Sequence, residues 1–157
     1  METRPPSFYR QSGVIPYRKL DERLEILLVT TRGNKGWTIP KGIIEPGLSA
    51  AESAVQEAWE EAGIRGAIST AQVGEYRYAK WGGTCTVQVF LLQVGEQMEQ
   101  WPEAGLRKRA WMSPREAAER VREETLRPLL ARLPDMVGNW ESERSCLLVD
   151  DFGKAEK

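Results

Sequence analysis

Three glutamates stand close together at Glu57, Glu60 and Glu61, inside the stretch QEAWEEAGI (residues 56–64), which holds no lysine or arginine. On a helix, spacings of three and four set like charges side by side, at a cost of roughly a few tenths of a kcal/mol per pair. Glu57 and Glu61 lie one turn apart at the edge of an apolar face formed by Ala51, Ala54, Val55, Ala58 and Ala62. Carboxylates held at the rim of a core supply oxygen ligands for a hard divalent cation. Mg2+ in particular takes a few carboxylates, some waters and substrate phosphates. A bound cation removes the repulsion and accounts for the missing lysines. The competing reading is a solvated acidic face. Two features weigh against it: the stripe borders the apolar face, and the helix is introduced by PKGIIEPGLS, whose glycines let the backbone approach a ligand closely.

The rest of the composition narrows the chemistry. The chain has 157 residues, which suits one domain with a single core. Lys plus Arg is 22 and Asp plus Glu is 23, so no global charge draws in nucleic acid or anionic lipid. Histidine is absent, which excludes His acid/base catalysis, Ser-His and Cys-His nucleophiles and His metal sites. Cys85 and Cys146 lie far apart and in no CxxC, as expected of free thiols in a reducing compartment. The opening METRPPSFYR lacks the apolar core of a signal peptide, and no apolar run is long enough to span a bilayer. These features predict a soluble, cytoplasmic protein.

The elements that must carry the glutamates are partly legible. Residues 12–15 read as a short strand ended by Pro16, and 24–31 (LEILLVTT) as a buried strand. Residues 37–40 are extended because a residue before proline avoids helix, and 41–48 read as a loop. Ser49 and Glu52 form a capping box at the start of the glutamate helix, and Gly63 suits the left-handed position at its end. Residues 66–79 and 84–94 read as strands; in the second, Cys85, Val87, Val89 and Leu91 share a face. Residues 106–112 form another strand. Ser113, Pro114 and Glu116 open a second helix, and Leu126, Leu129, Leu130 and Leu133 mark a last one despite Pro128. The domain is placed at residues 1–134, with 135–157 as a polar, loosely held tail that Cys146–Val149 could order against a partner. Strands, helix, strands, helix argue for an α+β fold.

The run from Gly42 to Ile64 resembles the signature of the Nudix hydrolases: Gly, five residues, Glu, seven residues, Arg-Glu-aliphatic-any-Glu-Glu-any-Gly-aliphatic. Gly42, Glu57, Glu60, Glu61, Gly63 and Ile64 match it without a gap. The lead-in WTIPKG fits, and QSGVIPYR, ILLVTTR and RKRAW resemble segments of the diphosphoinositol polyphosphate and diadenosine polyphosphate branch. The resemblance spans about residues 11–133. Leu48, Gln56 and Ala58 depart from the signature, standing where it has glutamate, arginine and a larger aliphatic residue. The family arginine helps orient the catalytic glutamate, so the losses at Leu48 and Gln56 are read here as coupled: without a carboxylate at 48, one demand for arginine at 56 disappears.

The resemblance implies an α/β/α sandwich around a mixed sheet, with the signature as loop-helix-loop. It also implies Mg2+-dependent (or Mn2+-dependent) hydrolysis of a pyrophosphate bond in a nucleoside diphosphate linked to another moiety, either a dinucleoside polyphosphate or a diphosphoinositol polyphosphate. Glu57 and Glu61 are the primary metal ligands, Glu60 is a ligand or the base, and the Lys41 carbonyl is a further ligand by family analogy. Where the base lies outside the signature, Glu75, Glu96, Glu99 and Glu103 are candidates. Arg107 and Arg109 come from the tightest basic cluster and share a face if 106–112 is a strand, with a solvated edge strand as the plainer reading. Arg10, Arg18, Lys19 and Arg32 resemble substrate-facing positions of that branch, and the Lys41 side chain can reach phosphate. Six tryptophans suit core or rim packing, and one has the chemistry to stack on an adenine; Tyr76 and Tyr78 are similar candidates. The expected partner is a small phosphorylated substrate, with nucleic acid and membrane disfavoured and oligomeric state open. An RNA 5′-end pyrophosphohydrolase and a catalytically weak ligand sensor are the alternatives.

Overall fold

Strand β1 (Phe8–Leu20) is the spine of the molecule. A computed structural model describes residues 8–155, and side chains through Arg144. β1 runs parallel to the long β7 (Gly83–Gln97) and antiparallel to β2 (Arg23–Thr30) and β4 (Lys41–Ile43). β3 (Trp37–Thr38) and β8 (Arg109–Met112) pair with β2, while β5 (Ile64–Ile68) and β6 (Gly74–Lys80) pair with β7. The result is one mixed, eight-stranded sheet.

Alternation along the central strands sends side chains to two cores. On one face Val14, Leu27, Val29, Phe90 and Leu92 meet Ala54, Ala58 and Ala62 of the glutamate helix. The alanines let that helix lie close to the sheet, but Val55 is exposed and does not share their face. On the other face Ile15, Tyr17, Ile26, Leu28 and Leu91 pack under α2 (Pro114–Arg120), α3 (Arg127–Ala131) and α4 (Leu133–Ala155). This is an α/β/α sandwich.

Several boundaries differ from the sequence reading. β1 runs through Pro16 because the β4 ladder has already ended, with Val14 N–H donating to the Pro40 carbonyl, and the β2 pairing starts only at Tyr17. The missing Pro16 N–H would point into that gap, so nothing is lost. The 41–48 loop begins as strand β4. The run 66–79 is two elements, β5 and β6, at successive positions along β7. Residues 106–108 are not strand: Leu106 and Arg107 donate back to the Glu103 carbonyl in a tight turn, and β8 starts at Arg109. The tail beyond Pro134 is helix α4, with proline in its first turn, where a missing N–H is tolerated. Leu133, Val137 and Trp140 recur at helical spacing and are buried, and Glu141 accepts hydrogen bonds from Tyr17 and Lys19. The side chains of Cys146–Val149 lie outside those described. No helix among the described residues is long and apolar enough to cross a membrane.

Candidate active site

The glutamate helix starts as α1 (Ala50–Glu57) and its capping box is complete. Ser49 Oγ accepts from the Glu52 N–H at 3.1 Å and Glu52 Oε1 from the Ser49 N–H at 2.8 Å. Those bonds hold the Glu52 carboxyl below its ordinary value. The last turn, Ala58–Ala62, is π-helical and ends at Gly63 in the left-handed region, φ +65°. A wider turn keeps Glu61 near the azimuth of Glu57 but carries Glu60 further round. Glu60 therefore accepts from Gln56 Nε2 at 3.3 Å, while Glu57 and Glu61 face a cavity of about 740 Å3.

The segment after β7 clamps this turn. Its terminal carbonyls are taken by donors from that segment: Glu60 by the Glu103 N–H, Glu61 by Trp101 Nε1, Ala62 by Arg109 Nη1 and Gly63 by the Met98 N–H. Arg109 also stacks on Trp101 at 3.8 Å. Helix ends need such partners, and here they fix the carboxylates behind them.

β4 closes the other side. A Cβ on Gly42 would sit 2.3 Å from Glu57 Cδ, so the Glu57 carboxyl lies where any other residue would put its side chain. The Lys41 N–H donates to Glu61 Oε1 at 3.2 Å. Lys41 stands opposite Gly13 in a non-hydrogen-bonded pair, next to the Val14–Pro40 bond, so its N–H and C=O both point away from β1 toward the helix. Arg107 joins the parts: Nη2 donates to Glu61 Oε2 at 3.2 Å, Nε to Glu103 Oε1 at 2.8 Å and Nη1 to the Thr30 carbonyl at 3.0 Å.

Burial pushes Glu61 up to about 7, with Arg107 and Lys41 opposing it. Burial, then the charges of Glu61, Glu60 and Glu103, push Glu57 up to about 8. The charges acting most on Glu57 are thus all carboxylates. That uncompensated, oxygen-only set, with the Lys41 carbonyl beside it, fits a hard divalent cation. Among the described residues no three acidic side chains form a ready-made cage, because Glu60 turns to Gln56.

Other expected site residues are distributed unevenly. Lys41, Arg32 and Arg107 line the cavity, as does Glu103 among the outside base candidates. The Lys41 ammonium is engaged, donating to Thr38 Oγ1 at 2.7 Å and to Glu123 Oε2 at 3.1 Å. Burial lowers its pKa and Glu123 opposes that. Arg109 donates to the Ala62 and Met98 carbonyls, and Arg107 precedes β8, so the two do not share a strand face. Arg18 pairs with Glu25 and lies over Trp111. Arg10 is exposed and alternates with Gln11, which does line the cavity. Lys19 is bound to Glu141, while Glu75, Glu96 and Glu99 are exposed and not on the cavity wall. Sequence reading missed Glu123, Arg122 and Lys80. Val121 ends α2 in extended conformation, and the Arg122 N–H docks on the Trp37 carbonyl, bringing this segment over the cavity. No local spacing signals that contact.

Residues 10–133 match the NUDIX domain family. Nudix hydrolase 12, mitochondrial, of Arabidopsis thaliana is 32% identical over 145 residues, covering 79% of this chain and 71% of that one. Nudix hydrolase 21, chloroplastic, of the same plant is 35% identical over 129 residues, covering 78% and 65%. A crystal structure of a C. elegans Ap4A hydrolase binary complex superposes with a TM-score of 0.72 at 23% identity, covering 83% of this chain and 98% of that one, which supports the fold. The carboxylate helix, its glycine strand and the surrounding sandwich are therefore those of a known enzyme family, and the chain belongs to the Nudix hydrolases.

Proposed function

We propose that this Nudix hydrolase cleaves a pyrophosphate bond in a Mg2+-dependent reaction, either in a nucleoside diphosphate linked to another group, with dinucleoside polyphosphates as the leading class, or in a diphosphoinositol polyphosphate. The observation that carries this reading is Glu57, packed against Gly42 and beside Glu61, with only carboxylates among the charges that act most on it. Glu57, Glu61 and the Lys41 carbonyl would hold the cation, with Glu60 as an outer charge. A bound divalent cation neutralises phosphate charge and lowers the pKa of coordinated water.

The chain's own groups do the rest. Arg107 fixes Glu61 and Glu103 relative to each other. Glu103 is given the role of base, since it lines the cavity and Glu60 is turned toward Gln56. Arg32, Lys80 and Arg122 lie on the wall where phosphates beyond the cation need positive charge. Arg10 and Arg18 are left with a role at most at the periphery, and Arg109 with positioning the helix end. A cytoplasmic location accompanies this reading, from the reduced thiols expected of the sequence.

The test is hydrolysis with Mg2+ over diadenosine polyphosphates, inositol pyrophosphates, nucleotide sugars and triphosphorylated RNA. Glu61→Gln should lower kcat/KM by on the order of 10²–10³. Retained activity in that variant removes the carboxylate pair from the mechanism.

A further inference from the structure

Two helical registers meet at the end of the glutamate helix. The Gly63 N–H is shared between the Ala58 carbonyl, five residues back, and the Trp59 carbonyl, four back at 2.9 Å. The register decides which carboxylates face the cavity. At the roughly 3.6 residues per turn of an α-helix, Glu61 would lie about 40° past Glu57 and Glu60 about 60° short of it, so that both would flank it. The wide last turn brings Glu61 back toward Glu57 and leaves Glu60 with Gln56.

A π-turn is rare, and an uncommon backbone state persists where its surroundings over-determine it. Here they do so from outside the helix. Ile64 already belongs to β5, and the four carbonyls from Glu60 to Gly63 all accept from the segment 98–109. Two donors are backbone groups, of Met98 and Glu103. The other two are side chains: Trp101 Nε1 lies 2.9 Å from the Glu61 carbonyl, and Arg109 Nη1 lies 2.6 Å from that of Ala62. Trp101 is seated against bare backbone, since a Cβ on Gly63 would lie 2.7 Å from its own Cβ, and the Arg109 guanidinium covers its ring at 3.8 Å. Neither side chain lines the cavity, so any effect on the chemistry passes through the turn.

We propose that Trp101, backed by Arg109, is a positioning residue that holds the last turn in its wide register and so selects Glu61, not Glu60, as the partner of Glu57 at the cation. This rests on the reading of the carboxylates as a metal site. Without the indole N–H the turn relaxes toward the α register, and the two glutamates share the role.

The experiment measures Mn2+ affinity of the full chain by electron paramagnetic resonance, for Glu60→Gln and Glu61→Gln, each alone and combined with Trp101→Phe. Phenylalanine keeps a ring under Arg109 and removes only the donor. In the wild-type background Glu61→Gln should weaken binding more than roughly tenfold and Glu60→Gln by less than about threefold. In the Trp101→Phe background the two losses should become equal within about threefold. A purely structural role lowers the melting temperature but leaves the ranking of the glutamates as it was, and that result overturns the proposal. Arg109→Lys, which keeps the charge and loses the planar fork, should narrow the same gap, and it carries the test if Trp101→Phe does not fold. If Glu61 dominates in every background, the positioning role fails and the metal reading stands. If neither these variants nor Glu57→Gln changes Mn2+ affinity, the metal reading falls and takes the proposal with it.

Discussion

Two buried ion pairs line the same cavity and differ in what surrounds them. Glu61–Arg107 spans 3.2 Å and Lys41–Glu123 spans 3.1 Å, and all four side chains are close to fully buried. Around Lys41 and Glu123 the charges balance, and Thr38 adds hydrogen bonds to both partners. Around Glu61 they do not balance, since Glu57 and Glu103 add negative charge and Arg107 must serve two carboxylates. The first pair is a closed structural joint. The second leaves negative charge uncompensated, and only there is removal of charge expected to cost activity more than stability.

Breaking the closed pair gives the largest effect on folding. Glu123→Ala strands a buried ammonium and should cost about 3–5 kcal/mol, read by urea unfolding. Lys41→Met with Glu123→Leu should recover most of it. If the single variant costs under about 1 kcal/mol, the pair is screened like a surface bridge and the contrast collapses.

Gly42→Ala attacks the open side by geometry. The added methyl meets the far end of a flexible side chain, the Glu57 carboxyl, and not backbone. Stability should change little, while kcat/KM falls by roughly 10–100-fold as Glu57 swings aside. A loss of stability larger than the loss of activity would mean that Gly42 serves the β1–β4 ladder and not the carboxylate.

The pH dependence sharpens the comparison next. Glu57 and Glu61 keep their protons to about 8 and about 7 in the folded chain, against an ordinary value of 4.5. Folding therefore takes up protons, so without metal their contribution to stability falls as pH rises from about 4.5 to about 8. Mg2+ competes with those protons, and its stabilising shift in melting temperature should grow over the same window. A shift independent of pH would place the cation away from this pair.

What the sequence disclosed follows the range of the interactions. The capping box, the alanine face and the gap-free run from Gly42 to Ile64 are local, and so Glu57, Glu61 and the helix that carries them were legible. The π-turn was not, because five residues are too few to reveal a change of period, and it decides that Glu60 leaves the pair. Lys41 and Glu123 lie 82 residues apart, and only the fold shows that the ammonium is already engaged. In α4 the exposed polar residues mask Val137 and Trp140, which recur too sparsely to stand out.

Gln56 gives the smallest expected effect and the finest test. It replaces the signature arginine, and its amide donates to Glu60, outside the pair that faces the cavity. The guanidinium that orients Glu61 comes instead from Arg107, 46 residues away. With that role filled, and Leu48 providing no carboxylate for a second arginine to bind, Gln56→Arg alone should leave kcat/KM within about threefold, less than the roughly tenfold that marks loss of a supporting contact. A steep rise without Leu48→Glu would show that the two departures are independent and that Arg107 does not substitute for the missing arginine. An unchanged single variant that gains activity only when Leu48→Glu is added would tie the two positions together and leave Arg107 as the residue that holds Glu61.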